Sequence, residues 1–181
     1  MILVNGPPGI GKSALAHRWV SDHPHARLVE IDEIRTSLDR WQEDETTKLT
    51  ARHLALDLID HHLRADQDVI VPQYLGRTDF IEDLEHTART AGGDLVEVLL
   101  TADEDDVVAR FEARREHLAG APHPADEVVD VPAAVAEAGA RLDHVRQRRR
   151  ATIVVPADHD VETTLAALST ALDGLTGRPL G

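Results

Sequence analysis

The stretch Gly6-Pro7-Pro8-Gly9-Ile10-Gly11-Lys12-Ser13 constrains this chain more than any other. It fits the pattern G-x-x-x-x-G-K-[ST] and begins right after the apolar run Met1-Ile2-Leu3-Val4. A helical pattern, Ala14-Leu15-Ala16-His17-Arg18-Trp19-Val20, follows it. Strand, glycine loop and helix in that order make a cradle for phosphate groups. Glycines let the backbone wrap closely around an anion, so the N–H groups of Gly6, Gly9, Ile10 and Gly11 can point inward as a nest. The helix that opens near Gly11 adds its positive end. Lys12 is placed to reach the β- and γ-phosphates of ATP, and the Ser13 hydroxyl to ligate Mg²⁺. The alternative is an ordinary Gly/Pro turn between a strand and a helix. Lysine usage argues against it: the chain has only two, Lys12 and Lys48, among many arginines. A lysine in the loop of such a chain suggests a need for a compact point charge.

Length and composition narrow the remaining classes. At 181 residues the chain is expected to form a single domain over 1–181 with a substantial core. It is 42% hydrophobic and 29% charged, the balance of a soluble globular protein. No apolar run is long enough to span a membrane. Met1 leads straight into the first apolar run, which predicts no leader peptide. Cysteine is absent, so disulfides and zinc–thiolate sites are excluded, and a cytoplasmic setting is expected. The net charge of −14 and 3% aromatic content argue against a nucleic-acid partner. The basic run Arg146-Gln147-Arg148-Arg149-Arg150 reads instead as a cluster at the negative end of a helix. The eleven histidines are scattered, and adjacent His61 and His62 cannot share a helix face, so no metal site is read from them.

Apolar runs alternate with helical segments along the whole chain. Strands are predicted at 1–5, 27–31, 68–72, 94–100 and 151–155, and helices at 12–22, 46–65, 78–91, 103–118, 132–149 and 160–174. Leu28-Val29-Glu30-Ile31, Val69-Ile70-Val71 and Ile153-Val154-Val155 have the β-branched content of buried parallel strands. Thr101 and Glu104 suggest a capping box, Asp160 a cap, Pro132 a first helical turn, and Gly92-Gly93 a helix stop. The alternation predicts an α/β fold with a five-stranded parallel sheet and helices on both faces. In such folds ligands bind at the carboxyl ends of the strands. The irregular stretch 119–131 follows an Arg-rich helix and reads as part of a lid at about 110–131.

Candidate site residues follow from the strand ends. Strand two leads into Asp32-Glu33-Ile34-Arg35. Asp32 can hold Mg²⁺ through water or accept a proton from an attacking hydroxyl, and its alternative role is a helix cap. Glu33 is the weaker competitor as base. Arg35, one turn on, can grip an anionic group on the acceptor. Strand three leads into Pro72-Gln73-Tyr74-Leu75-Gly76-Arg77, with no carboxylate where a second Mg²⁺ anchor is usual. Gln73 can hydrogen-bond a substrate or water. Arg77 either sits over the site or is a surface arginine. On the helix after strand four, Asp106–Arg110 and Glu112–Arg115 have helical pair spacing, whereas Arg114 has no acid one turn away and Arg110 repels it. Arg114, with Arg110, is therefore the candidate to close on a triphosphate, the alternative being a solvated helix face. Trp19 and Trp41 read as core residues.

With the loop at 6–13, Asp32-x-x-Arg35 and the Arg110/Arg114/Arg115 helix in place, the chain resembles the small P-loop kinase superfamily. The nearest likenesses are the kinase domains of polynucleotide 5′-kinases, zeta toxins and chloramphenicol phosphotransferase. The resemblance implies a P-loop NTPase three-layer sandwich. It also implies Asp32 as general base, Arg35 on the acceptor, and a lid helix carrying Arg110 and Arg114. Gly76-Arg77 is similar to the loop of adenylate kinase where an arginine grips the acceptor phosphate. The expected activity is transfer of the γ-phosphoryl of ATP, with Mg²⁺, to a hydroxyl of a small molecule. The alternatives are a polynucleotide 5′-hydroxyl or zeta-toxin-like kinase, and an NTP-binding switch without an acceptor. No motif selects the acceptor, or ATP over GTP.

Overall fold

A computed structural model describes residues 1–42, 44, 46–117, 128–157 and 160–176. Five strands are assigned: β1 (Ile2–Asn5), β2 (Arg27–Leu28), β3 (Val69–Pro72), β4 (Val96–Thr101) and β5 (Ile153–Pro156). Seven helices are assigned among the described residues: α1 (Lys12–Asp22), α2 (Ile31–Thr36), α3 (Thr46–Arg64), α4 (Asp79–Thr90), α5 (Glu104–His117), α6 (Val131–Arg148) and α7 (Val161–Thr176). All strand pairs are parallel, in the order β2-β3-β1-β4-β5. The predicted lid keeps its flanks in α5 and α6, but 118–127 lie outside the described residues.

The sheet has a core on each face because β1 and β3 carry apolar residues on both sides of the strand. Ile2, Val4, Ile70, Val98 and Leu100 face one side, packed with Leu15 and Trp19 of α1, Val107 and Phe111 of α5, and Leu165 and Leu168 of α7. Leu3, Val69 and Val71 face the other, packed with Ala55 and Ile59 of α3 and Phe80, Ile81 and Leu84 of α4. Alternate residues of a strand point to opposite faces, so a run apolar at every position demands helices on both. Trp19 is 1% and Trp41 8% exposed, which places both in the interior.

Helix ends follow local chemistry. Asp130 Oδ1 accepts from the Ala133 N–H with Pro132 in the first turn, and Asp160 Oδ1 accepts from the Thr163 N–H. Gly92, at φ 88°, stops α4, with the Gly93 N–H returning to the Ala88 carbonyl. The start of α5 differs from the expected capping box: Asp103, not Thr101, accepts from the Asp105 N–H, because β4 keeps Thr101 in the sheet. β2 is shorter than the predicted 27–31. Val29 still donates to the Ile70 carbonyl, but Ile31 turns inward as the first residue of α2 and is buried against the second core. Burial of Ile31 overrides its strand propensity. Arg149 closes α6 and ties it to the sheet, its Nε donating to Glu97 at 2.6 Å and its Nη2 to Glu85 at 2.8 Å.

The apex of the phosphate loop is pinned against α5. A Cβ at Gly9 would fall 2.8 Å from Phe111 Cβ and 3.0 Å from the Val107 carbonyl, and Gly9 has φ 88°. Gly11 has φ 101° but open space around it. Gly11→Ala should therefore cost only the left-handed backbone penalty, about 1–2 kcal/mol. Gly9→Ala adds a backbone clash and should cost about 1–3 kcal/mol more. Urea denaturation of the two variants checks the order; equal losses would mean that α5 does not press on the loop.

Candidate active site

Asn5, the last residue of β1, is 5% exposed and joins two loops. Its Oδ1 accepts from the N–H groups of Gly6 and Leu75, both at 2.9 Å, and its Nδ2 donates to the Leu75 carbonyl at 3.0 Å. One amide thus fixes the start of the phosphate loop to the segment that follows β3. Ile10 is 2% exposed, so the loop is anchored from below by its side chain while its backbone faces the ligand side. Lys12 Nζ donates to the Gly6 carbonyl at 3.0 Å and the Pro7 carbonyl at 2.9 Å. Desolvation pushes its pKa down to about 7; Asp32 opposes this, and Arg114 adds to it.

A cleft of about 670 Å³ opens over this loop. Gly9, Gly11, Lys12 and Ser13 form its floor, and Arg110, Phe111 and Arg114 of α5 form one wall. Arg110 Nη1 donates to the Ala157 carbonyl at 2.6 Å, which fixes its guanidinium beside β5. Arg114 is exposed yet close enough to act on the Lys12 charge, and it is engaged within the fold despite having no acid one turn away. Arg115 leaves the cleft and donates to the Val128 carbonyl. The opposite wall comes from α1, from Glu30 and α2, and from the segment after β3: His17, Glu30, Asp32, Glu33, Thr36, then Gln73 and Tyr74. His17 Nε2 lies 3.0 Å from Glu30 Oε2. Burial and the neighbouring Glu30 carboxylate both raise the Glu33 pKa. His17, Glu30 and Glu33 each bring one ligand atom to within 4.8 Å of the others.

The profile of the family described as "AAA domain" matches residues 1–139. The chain belongs to this family. No curated protein sequence matches it. Among solved structures it is similar to the tunicamycin resistance protein of Deinococcus radiodurans, with TM-score 0.61, 21% identity, and 94% of each chain covered. It is also similar to shikimate kinase from Bacteroides thetaiotaomicron, with TM-score 0.60, 18% identity, and 95% and 97% covered. A gluconokinase from Sinorhizobium meliloti aligns with TM-score 0.56, 18% identity, and 96% and 94% covered. The fold of this AAA domain is that of the small P-loop kinases.

The cleft of the AAA domain collects Gly9, Gly11, Lys12, Ser13, Asp32, Gln73, Arg110 and Arg114. Asp32 is not a helix cap, because α2 begins at Ile31 and Glu30 holds the cap position. Two expected acceptor residues do not line the cleft. Arg35 is 6% exposed, with its guanidinium 5.0 Å over the Trp41 ring, so it serves the interior. Arg77 is exposed and pairs with Asp79 at 2.7 Å. Gly76 is small because the Tyr74 hydroxyl would lie 2.6 Å from any Cβ there. Sequence reasoning missed Asn5, His17, Glu30 and Tyr74. Asn5 carried a signal, being polar at the end of an otherwise apolar strand. The His17–Glu30–Glu33 group, missed when the histidines were read as scattered, spans two helices that only the fold brings together.

Two measurements follow from this geometry. Asn5→Ala strands two N–H groups and a carbonyl in the interior, where each unsatisfied group costs about 1–3 kcal/mol. It should lower stability by at least about 2 kcal/mol and weaken nucleotide binding together; an unchanged melting temperature would remove the bridging role. Lys12 supplies the second. Its folded pKa is lowered, so at pH 8 it is mostly neutral, and a bound phosphate anion draws the proton back. Binding of an ATP analogue at pH 8 should take up about one proton per site, with little uptake at pH 6. Titration calorimetry in buffers of different ionisation enthalpy reads this, and Lys12→Ala should abolish it.

Proposed function

We propose that this AAA domain is a kinase that transfers the γ-phosphoryl group of ATP to a hydroxyl of a small-molecule acceptor, with the whole chain acting as one unit. One observation carries the reading. Asp32 shares a cleft with the phosphate loop, close enough to act on Lys12, with open space between the two walls. That space can seat an acceptor between the loop and a proton-accepting carboxylate, which a binding switch does not need.

The residues divide the work. The loop amides around Gly9 and Gly11 and the Lys12 ammonium hold the β- and γ-phosphates. Ser13 and Asp32 would hold Mg²⁺ through the hard oxygen donors it prefers, and the ion would supply charge neutralisation for the phosphates. Asp32 accepts the proton of the acceptor hydroxyl as its oxygen attacks the γ-phosphorus, and ADP leaves toward Lys12 and Arg114. Arg114, on the exposed part of α5, approaches the transferring group; Arg110, fixed to the Ala157 carbonyl, holds that wall in place. The acidic wall of Glu30, Asp32 and Glu33 and the net charge of −14 weigh against a polynucleotide acceptor.

Asp32→Asn keeps the size and loses the proton acceptor. It should leave the melting temperature nearly unchanged while phosphoryl transfer collapses. Arg114→Ala should slow single-turnover transfer by about 10²–10³-fold, the usual effect of losing one preorganised charge contact. Arg110→Ala should lose less rate and more stability. Full transfer by Asp32→Asn with any acceptor would refute the base assignment, and full rate in all three would remove the roles assigned to Asp32, Arg110 and Arg114.

A further inference from the structure

In the sheet order β2-β3-β1, the segment after β3 stands between Asp32, which follows β2, and the phosphate loop, which follows β1. Gln73 is the first residue of that segment. Its backbone is fixed. The Gln73 N–H donates to the Val4 carbonyl at 3.0 Å, and two residues on the Asn5 amide bonds both the N–H and the carbonyl of Leu75. The side chain therefore starts from a rigid point beside the loop, and it lines the cleft with Lys12, Ser13 and Asp32. Its Oε1 is shielded from solvent and receives no hydrogen bond among the described residues. Buried amide oxygens nearly always have a donor, and one left without it costs stability. At the wall of a cleft, such an atom marks a place that a ligand completes.

We infer that Gln73 sets acceptor specificity: its side-chain oxygen accepts a hydrogen bond from a second hydroxyl of the acceptor, beside the one that Asp32 deprotonates, so the acceptor is a polyol and not a monohydroxy compound. The inference deepens the kinase reading and rests on it for the role of Asp32. The reacting hydroxyl has one proton, and Asp32 takes it, so Gln73 needs a donor of another origin. Neighbouring side chains do not supply one. Thr36 Oγ1 already donates to the Glu33 carbonyl, and the guanidinium groups of Arg35 and Arg77 lie against Trp41 and Asp79. The last torsion of a glutamine is soft, and a turn about it carries Oε1 from its shielded side into the cleft. Set between the base and the phosphate loop, the amide adjoins the reacting hydroxyl, so the hydroxyl it reads is a neighbouring one. A site built to bond a particular hydroxyl rejects the analogue that lacks it, because its own polar group is then left unpaired.

The test uses two pairs of probes that share a carbon skeleton: propanol against glycerol, and cyclohexanol against myo-inositol. Phosphoryl transfer from Mg·ATP is measured as kcat/KM, and binding to the protein loaded with a non-hydrolysable ATP analogue is followed by saturation-transfer NMR. The protein should prefer the polyol of each pair by about ten- to hundredfold, the worth of one hydrogen bond whose loss strands a buried partner. Gln73→Met keeps the length of the side chain and removes the amide. It should erase most of that preference without lowering the melting temperature, because it also removes an unsatisfied buried oxygen. Equal use of both members of each pair, or a preference that survives Gln73→Met, overturns the inference. So does a Gln73→Met protein that melts earlier and slows on both members alike, which would make the residue structural, and so does the absence of both binding and transfer for the two polyols. The two readouts separate this inference from the kinase reading. Polyol binding that depends on Gln73 without transfer keeps the specificity role and removes the kinase; equal transfer to both members of a pair does the reverse.

Discussion

The side-chain amide of Asn5 is the interaction on which the rest of the cleft depends. It sits where β1 ends and must satisfy buried backbone groups on two different loops. Without it, the phosphate loop and the segment after β3 would be joined only by the β1–β3 ladder and the Gln73 N–H bond to the Val4 carbonyl that extends it. From above, Phe111 and the Val107 carbonyl leave room for no Cβ at Gly9. The loop is thus clamped between an amide bridge at its base and a helix at its apex. Backbone donors held this way cost little reorganisation when an anion arrives.

Charge is then distributed on this rigid frame. Lys12 is desolvated enough that its pKa falls to about 7, so its charge is partly withdrawn in the free cleft and a bound phosphate restores it. The acidic residues that give the chain its overall charge include Glu30, Asp32 and Glu33, which stand across the cleft from the arginines of α5. The same frame explains why Arg110 and Arg114, one turn apart on α5, differ in placement. The guanidinium of Arg110 is tied to the carbonyl of Ala157 beside β5, whereas Arg114 stands exposed at the rim.

Much of the fold was legible in the sequence. Periodicity located five strands and six of the seven described helices, since a run such as Val69-Ile70-Val71 can be buried on both faces only in a parallel sheet. The missed helix, α2, is six residues long and begins with the β-branched Ile31, so local preference pointed to strand while burial decided for helix. The site divided the same way. The phosphate loop was readable because its function lies in backbone conformation and contiguous residues. The arginines after β2 and β3 were not, because the direction of a long side chain depends on what packs around it: Trp41 draws Arg35 inward, and Asp79 draws Arg77 outward.

The sequence by itself determined the parallel α/β sheet, the anion cradle at 6–13 and the presence of Asp32 near it, because these follow from hydrophobic period, glycine conformations and chain order. Only the tertiary structure decided what faces the phosphate loop from the side of α1, α2 and β3. His17 of α1, Glu30 and Glu33 at α2, and Gln73 and Tyr74 after β3 are far apart in the chain, and no local pattern links them. They meet because β2, β3 and β1 lie side by side in the sheet, so that whatever follows those strands converges on the same edge.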